Sequence, residues 1–246
     1  MKPLPAKAKV VCDEFVAGLQ AALSDDLYGV YLHGAAVFPR AGPIQDVDCH
    51  VVLKRPLKDG QREAVVRLHK ALAERFPPLG GEIDAFYILL KDAQGTTSPR
   101  NQLRVDMRDE SWALHCAHIR AGYCAALCGP EPAGIFPSPS WREIARALDH
   151  ELRFIEANLR YHAYCVLNLC RIIYSFESRN VVVSKRFCGR WARDRFPGWR
   201  ALIQAAIRFY GQKATPQDEK LLTEGVVPFL EFARGIIRRT RAKRRQ

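Results

Sequence analysis

The stretch of residues 46–53 constrains the fold of this chain most, because polar and apolar side chains alternate along it. Successive side chains of an extended strand point to opposite faces of a sheet. Asp46, Asp48 and His50 would therefore share one face, and the apolar residues between them would pack on a core. Two aspartates one strand step apart suit a cation. The alternative is a half-buried strand whose acidic face only contacts solvent.

A glycine turn precedes this strand. Residues 27–33 are rich in aromatic and β-branched side chains, which favours a short buried strand, and they lead directly into Gly34. Glycine allows backbone amides to approach a phosphate closely, so Gly34 and Ala35 are candidate phosphate-binding residues. Carboxylate oxygens, together with phosphates and water, are typical ligands of Mg²⁺.

The order of a strand, a small-residue turn and a second strand carrying Asp-x-Asp resembles the core of the nucleotidyltransferase superfamily that includes DNA polymerase β. The resemblance implies that Asp46 and Asp48 hold Mg²⁺ and a nucleoside triphosphate on a sheet. It also implies a third carboxylate on a neighbouring strand.

Residues 82–90 supply a further strand with two acids at its start. Period two places Glu82 and Asp84 on one face, so either could point at the predicted metal pair. We favour Asp84, because it lies further inside the apolar run, whereas Glu82 adjoins two glycines. Glu82 stays open as the third carboxylate, and both acids could simply make the start of the strand soluble.

Length and composition restrict the setting. The 246 residues suffice for one large or two modest domains. No apolar run approaches the roughly 18 residues that span a bilayer, and no signal peptide is evident, so we expect a cytoplasmic protein without a membrane partner. The eight cysteines lie mostly in apolar contexts typical of free thiols. Cys124 and Cys128 follow His115 and His118, but no second tight pair completes a zinc site.

Positive charge is concentrated at the C-terminal end. The chain carries a net charge of +12, and residues 234–246 contain seven basic residues and no acid. Such a segment attracts polyanions, so a nucleic acid is a possible but not a favoured partner, since no known nucleic-acid-binding motif accompanies it. The alternative is a solvated helix end whose cations suit the helix dipole. We expect a monomer.

The pattern changes once along the chain. Amphipathic helices are expected at residues 7–23 and 62–76, a polar loop at 92–104, and a helix over 112–128 that ends at Gly129-Pro130. From residue 141 the pattern is helical throughout. We therefore predict an α+β protein. An N-terminal nucleotidyltransferase α/β domain with a mixed sheet spans residues 1–140, its core reaching about residue 92, and a C-terminal all-α helical bundle spans residues 141–246.

The second half carries a more specific pattern. It consists of Arg171-x-x-Tyr174-Ser175, then Ser184-Lys185 and Trp191-Ala192, with Tyr210 beyond. In spacing this is similar to the C-terminal helical domain of the aminoglycoside (3'')(9) adenylyltransferases, which modify streptomycin and spectinomycin. Together with the first-half motifs, the likeness spans roughly residues 27–210. It implies that Arg171, Lys185 and Tyr210 bind ATP. The alternative for the two cations is ion pairing with acids of the first domain.

Two departures from that family bear on the substrate. Members usually have Gly-Ser where this chain has Gly34-Ala35, so a hydroxyl contact to phosphate is lost. Residues 158–163, at the place of the family's drug-binding acids, contain no carboxylate. A cationic aminoglycoside favours carboxylates. We therefore expect streptomycin to be a poor acceptor and a less cationic or an anionic hydroxyl compound to be a better one.

These observations predict a Mg²⁺-dependent nucleotidyltransferase that transfers AMP from ATP to a hydroxyl of a small molecule. Asp46, Asp48 and Asp84 are the expected catalytic residues and ligands of two Mg²⁺ ions, with Asp84 as third ligand or base. ATP would bind between the two domains. Two other classes stay open: an ATP-binding regulatory protein without turnover, and a basic nucleic-acid-binding protein on the same scaffold.

Overall fold

The computed structural model describes residues 4–38, 44 and 46–244. The chain forms two compact units, and among the described residues the first reaches to Ser140 and the second begins at Trp141. We refer to them as the α/β unit and the helical unit.

The α/β unit is built on a four-stranded sheet in the order β3-β2-β1-β4. Strand β1 is antiparallel to both β2 and β4, whereas β2 and β3 are parallel, so the predicted mixed sheet is confirmed. The elements are α1 (Ala6–Leu23), β1 (Leu27–Leu32), β2 (Val47–Leu53), α2 (Asp59–Arg75), β3 (Ile83–Leu89), α3 (Leu90–Ala93), α4 (Trp112–Arg120) and β4 (Ala125–Cys128). A parallel pair requires a crossover connection, and α2 provides it between β2 and β3.

Both faces of this sheet are covered. On one face the alternating apolar residues of β2, such as Val51, pack with Phe15 and Leu19 of α1. On the other face Val52 packs with Trp112 of α4 and with Phe136. The second face is the one that carries Asp48 and His50, so their surroundings are more buried than the alternating pattern alone predicts.

The predicted helix over residues 112–128 is wrong in its second half. Helix α4 ends at Arg120, and Gly122 then adopts a left-handed backbone with a φ of 85°. Glycine reaches this conformation without steric cost. The chain reverses and residues 125–128 pair with β1 as the edge strand. Four residues are too few for a strand periodicity to be recognised in an apolar run.

The helical unit contains α5 (Trp141–Ala157), α6 (His162–Ser178), α7 (Lys185–Arg195), α8 (Arg200–Tyr210) and α9 (Pro216–Lys243). Helix α6 is central, because it packs against each of the other four helices and is buried on most of its circumference. A helix that is apolar nearly all round belongs in a core. The predicted order of an α/β part followed by an all-helical part is confirmed.

The basic C-terminal segment continues α9 as far as Lys243, and its Arg245 lies outside the described residues. Two of its arginines hold acids of α5: Arg234 pairs with Glu156, and Arg241 pairs with Asp149. These two ion pairs therefore link α9 to α5 within the helical unit. Within the described ranges, none of the helices combines the length and apolar character needed to cross a bilayer.

Candidate active site

The register of β2 and β3 aligns two of the three predicted carboxylates. Asp48 lies opposite Asp84 in the parallel pair, so both side chains are on the same face of neighbouring strands. Asp48 is half-buried and Asp84 is exposed. Glu82 belongs to a 3₁₀ turn before β3 and has no position in this register. Asp46 is half-buried and immediately precedes β2.

Gly34 lies directly against Asp48. Its φ is +68°, and a Cβ built on it would be 1.8 Å from Oδ2 of Asp48. The turn is fixed by the N–H of His33, which donates to the backbone carbonyl of Asp48 at 2.9 Å. Gly34 and Ala35 then begin a short 3₁₀ turn. The structure thus joins the predicted glycine turn to one of the predicted carboxylates.

The third polar residue of β2 does not face solvent. His50 is fully buried, and its Nε2 lies 3.0 Å from Oδ2 of Asp109. The same oxygen lies 2.8 Å from Nδ1 of His115. Asp109 also accepts the N–H of Ser111, which adjoins the start of α4. His50 lies on the same face as Asp48, as the alternation predicts, but α4 covers this part of the sheet and buries the ring.

Electrostatics in this cluster follow from burial. Burial lowers the pKa of both His33 and His50, because each ring would have to hold a charge away from water. Burial opposes ionisation of Asp109 too, but the charge and hydrogen bonds of His115 and His50 outweigh it and lower the pKa of that carboxyl. Asp109 is therefore an ionised acceptor, and the two buried rings are neutral near pH 7.

The helical unit brings two of its three predicted ATP-binding residues together. The Nζ of Lys185 lies 4.5 Å from the ring centroid of Tyr164 and 5.6 Å from that of Tyr210. Both distances are within cation–π range. Ser184 caps α7 by accepting the N–H of Phe187, which fixes the helix start that carries Lys185. Burial raises the pKa of the Tyr164 phenol.

Arg171, the third predicted residue, lies on α6 and pairs with Glu151 of α5 at 3.4 Å. Both side chains are largely buried, at 17% and 11% exposure. The sequence left open an ion pair of Arg171 with an acid of the first domain, but its observed partner, Glu151, lies in the helical unit. The sequence did not predict a role for Glu151, because it precedes residues 158–163, the segment expected to carry the drug-binding acids.

Residues 135–234 match the family model for the aminoglycoside adenylyltransferase C-terminal domain. The helical unit is therefore similar to this domain family. The family resemblance read from the sequence is therefore confirmed for the segment that carries Arg171, Lys185 and Tyr210. No curated protein matches the chain.

A solved structure shares the fold of the whole chain. It is described as spectinomycin adenyltransferase AAD(9) from Enterococcus faecialis, crystallised with ATP and spectinomycin. The TM-score is 0.76 at 15% sequence identity, and the match covers 94% of this chain and 99% of that one. Both units thus have the fold of an aminoglycoside adenylyltransferase.

One group of possible metal ligands escaped sequence analysis. His33, His50 and His115 each offer a nitrogen, and these atoms all lie within 4.8 Å of one another. The three aspartates do not form such a tight group in the part of the chain that the structure describes. His115 had been considered only as a partner of the nearby cysteines, since the histidines are separated by up to 82 positions in the sequence.

Proposed function

We propose that this protein is an adenylyltransferase, which transfers AMP from ATP to a hydroxyl group of a small molecule. The observation that carries the proposal is the alignment of Asp48 with Asp84 beside the Gly34 turn, in a chain with an adenylyltransferase fold. Asp46, just before the same strand, adds a third carboxylate nearby in sequence.

The α/β unit would bind the reacting phosphates. Its carboxylate oxygens fit Mg²⁺, which binds one or two carboxylates and completes its shell with substrate phosphates and water. Asp46 and Asp48 are the proposed ligands, and two bound ions would supply positive charge at the α-phosphate and at the departing pyrophosphate. The amides of Gly34 and Ala35 are proposed to contact a phosphate, without the hydroxyl that a serine would add.

In the reaction, the acceptor oxygen forms a bond to the α-phosphorus of ATP while the bond to the bridging oxygen of the β-phosphate breaks. Pyrophosphate leaves with that electron pair. The hydroxyl proton goes to Asp84, which is exposed and so accessible to an acceptor. If Asp84 is instead a third metal ligand, solvent water takes the proton. Most of the rate enhancement would come from positioning and charge.

The helical unit would bind the nucleotide through Lys185, Arg171 and Tyr210. Lys185 lies within cation–π distance of two tyrosine rings, which positions its ammonium group. Such a cation suits a triphosphate. Arg171 is paired with Glu151, so it would share its guanidinium between that acid and ATP.

Spectinomycin is the first acceptor to test, because the structural neighbour was crystallised with ATP and spectinomycin. We expect streptomycin to react weakly. It is polycationic, and the buried Glu151 is already compensated by Arg171. A polycation is best attracted by uncompensated acid, and the net charge of +12 works against it.

The test is pyrophosphate release by the purified full chain with ATP, Mg²⁺ and a panel of aminocyclitols, aminoglycosides and other hydroxyl compounds. Asp48→Asn and Asp46→Asn should each abolish release and leave the thermal midpoint unchanged or higher, since each removes one charge from an acidic region. Asp84→Ala should cost far more activity than the matched control Glu82→Ala. Near-normal turnover in either asparagine variant would place the reaction elsewhere.

A second function, ATP binding without transfer, is favoured by one observation: Ala35 stands where the family usually has serine. It predicts that ATP binds with an affinity that depends on Lys185, while no acceptor in the panel releases pyrophosphate. Calorimetry with ATP and Mg²⁺ alongside the release assay separates the two functions.

A further inference from the structure

We propose that His33, His50 and His115 bind a divalent transition-metal ion such as Zn²⁺. The three histidines come from the end of β1, the middle of β2 and helix α4. One nitrogen of each ring lies within 4.8 Å of one nitrogen of each of the others. Imidazole nitrogens are preferred ligands of Zn²⁺ and its neighbours in the first transition row.

The rings are packed against one another rather than dispersed through the core. The centroids of His33 and His50 are 4.4 Å apart, and those of His33 and His115 are 4.7 Å apart. In a tetrahedral zinc site, bonds of about 2.0–2.1 Å bring ligand nitrogens to roughly 3.4 Å from each other. The closest set of ring nitrogens would therefore have to approach by at most about 1.4 Å to bind one ion.

Asp109 orients two of the three rings for this role. Its ionised carboxylate can only accept, so Nε2 of His50 and Nδ1 of His115 must each carry the proton that faces it. An imidazole that donates through one nitrogen to a carboxylate can present its other nitrogen to a metal ion, and in His50 that nitrogen is Nδ1. A carboxylate that holds the far nitrogen of a metal-binding histidine is the usual outer partner in zinc sites.

A second observation independently indicates a missing ligand. The atom Nδ1 of His50 is fully buried and has no hydrogen-bond partner among the described residues. Buried polar atoms nearly always have a partner, so an isolated one requires an explanation. It is the same nitrogen that Asp109 leaves with a lone pair. A metal ion in the cluster would satisfy it.

The cluster is partly exposed to solvent at His115. The side chain of His115 is 30% exposed, whereas His33 and His50 are buried, so an ion can reach the cluster from the side of α4. Three histidines leave a fourth tetrahedral position for water or another donor. His33 precedes Gly34, and His50 follows Asp48 by one strand step, so a bound ion would brace the two strands that carry these residues.

The experiment uses the purified full chain after chelation and removal of the chelator. Zn²⁺ titration by calorimetry should give one equivalent bound, and Co²⁺ should produce the intense visible bands of a tetrahedral nitrogen-rich site. The thermal midpoint should rise by roughly 5–10 °C at a Zn²⁺ concentration about 100 times the dissociation constant. The Co²⁺ spectrum of the unmodified chain tests the site even where a variant fails to fold.

Three substitutions locate the ion. His115→Ala removes a ligand at a partly exposed position and should abolish the Co²⁺ bands. Asp109→Asn should weaken Zn²⁺ binding by roughly 10–100-fold, as loss of an outer-shell partner does. His150→Ala, in the helical unit, and Asp46→Asn, at the predicted Mg²⁺ site, should leave both Zn²⁺ affinity and stoichiometry unchanged.

The inference is overturned if Zn²⁺ and Co²⁺ do not bind at micromolar concentrations, which would make the cluster a packed group of neutral histidines. It is also overturned if binding survives His115→Ala and is lost in Asp46→Asn, because the ion would then occupy the acidic residues. Neither result depends on nucleotidyl transfer, so failure here leaves the proposed function standing.

Discussion

Replacement of Gly34 by alanine tests whether the position of Asp48 beside the glycine turn matters for activity. The new methyl carbon would lie 1.8 Å from Oδ2, 2.8 Å from Cγ and 3.0 Å from Cβ of Asp48. Non-bonded heavy atoms prefer a separation of about 3.5 Å, so the carboxylate oxygen must retreat by roughly 1.5 Å. Metal ligands tolerate displacements of only about 0.2 Å.

The substitution also has a backbone cost. Gly34 has a φ of +68°, and a left-handed conformation costs an alanine roughly 1–2 kcal/mol. For a chain of this size that predicts a fall in thermal midpoint of roughly 2–8 °C. Displacement of a catalytic group by about 1 Å can cost roughly 100-fold in rate, so we expect at least that loss of turnover.

Gly122→Ala is the matched control. Gly122 has a φ of +85°, but a Cβ there would meet no atom within 4 Å. It should lose a similar amount of stability and keep its activity within about threefold, because only the backbone cost applies. Pyrophosphate release and thermal unfolding of both variants provide the comparison.

The reasoning is refuted if Gly34→Ala retains turnover close to that of Gly122→Ala. Activity would then not depend on the position of Asp48 beside Gly34, and other carboxylates would have to be the metal ligands. A rate loss in both variants would instead show that backbone strain alone impairs the α/β unit.

Three further predictions concern the helical unit and the acceptor. Lys185→Ala should weaken ATP binding by roughly 10–100-fold in calorimetry, since a charge-assisted contact contributes about 1.5–3 kcal/mol, whereas Lys185→Arg should lose much less. The second prediction concerns Asp218, whose carboxylate accepts hydrogen bonds from the guanidinium of Arg208 and from the N–H of Thr215. These bonds lower the pKa of the carboxyl. Its stabilisation is therefore present above the unfolded-state pKa of about 3.9 and is lost as the pH falls towards the lowered pKa of the folded state. The difference in thermal midpoint between wild type and Asp218→Asn should accordingly narrow from about pH 6 to about pH 2.5. The exposed Asp194→Asn control should change little at any pH. Expression in a susceptible bacterium should raise the inhibitory concentration of streptomycin only slightly; a large rise that Asp46→Asn abolishes would contradict the predicted acceptor preference.

The sequence by itself determined the order of the elements around the site. Alternation along residues 46–53 predicted β2, because one face of that strand must be apolar to reach a core. The glycine before it predicted a turn, and Gly34 does adopt a positive φ. The spacing in the second half predicted the helical domain, whose family match supports that prediction. The strand, the turn and the helices depend on residues close together in the chain, so a short stretch of sequence is enough to predict them.

Pairing between distant segments was decided by the tertiary structure. The sequence favoured Asp84 over Glu82 but left both open, and only the strand register aligns Asp84 with Asp48 and leaves Glu82 in a turn. The edge strand β4 exists because β1 had a free edge, which no property of residues 125–128 reveals.

The histidine cluster shows the same limit most clearly. His33, His50 and His115 lie far apart in the sequence, and each alone is an ordinary core or helix residue. Packing of α4 on the sheet brings them together, buries His33 and His50, and places Asp109 against His50 and His115. The lowered pKa values of His33 and His50 and the unpaired nitrogen of His50 therefore arise from packing between elements that the sequence pattern does not specify.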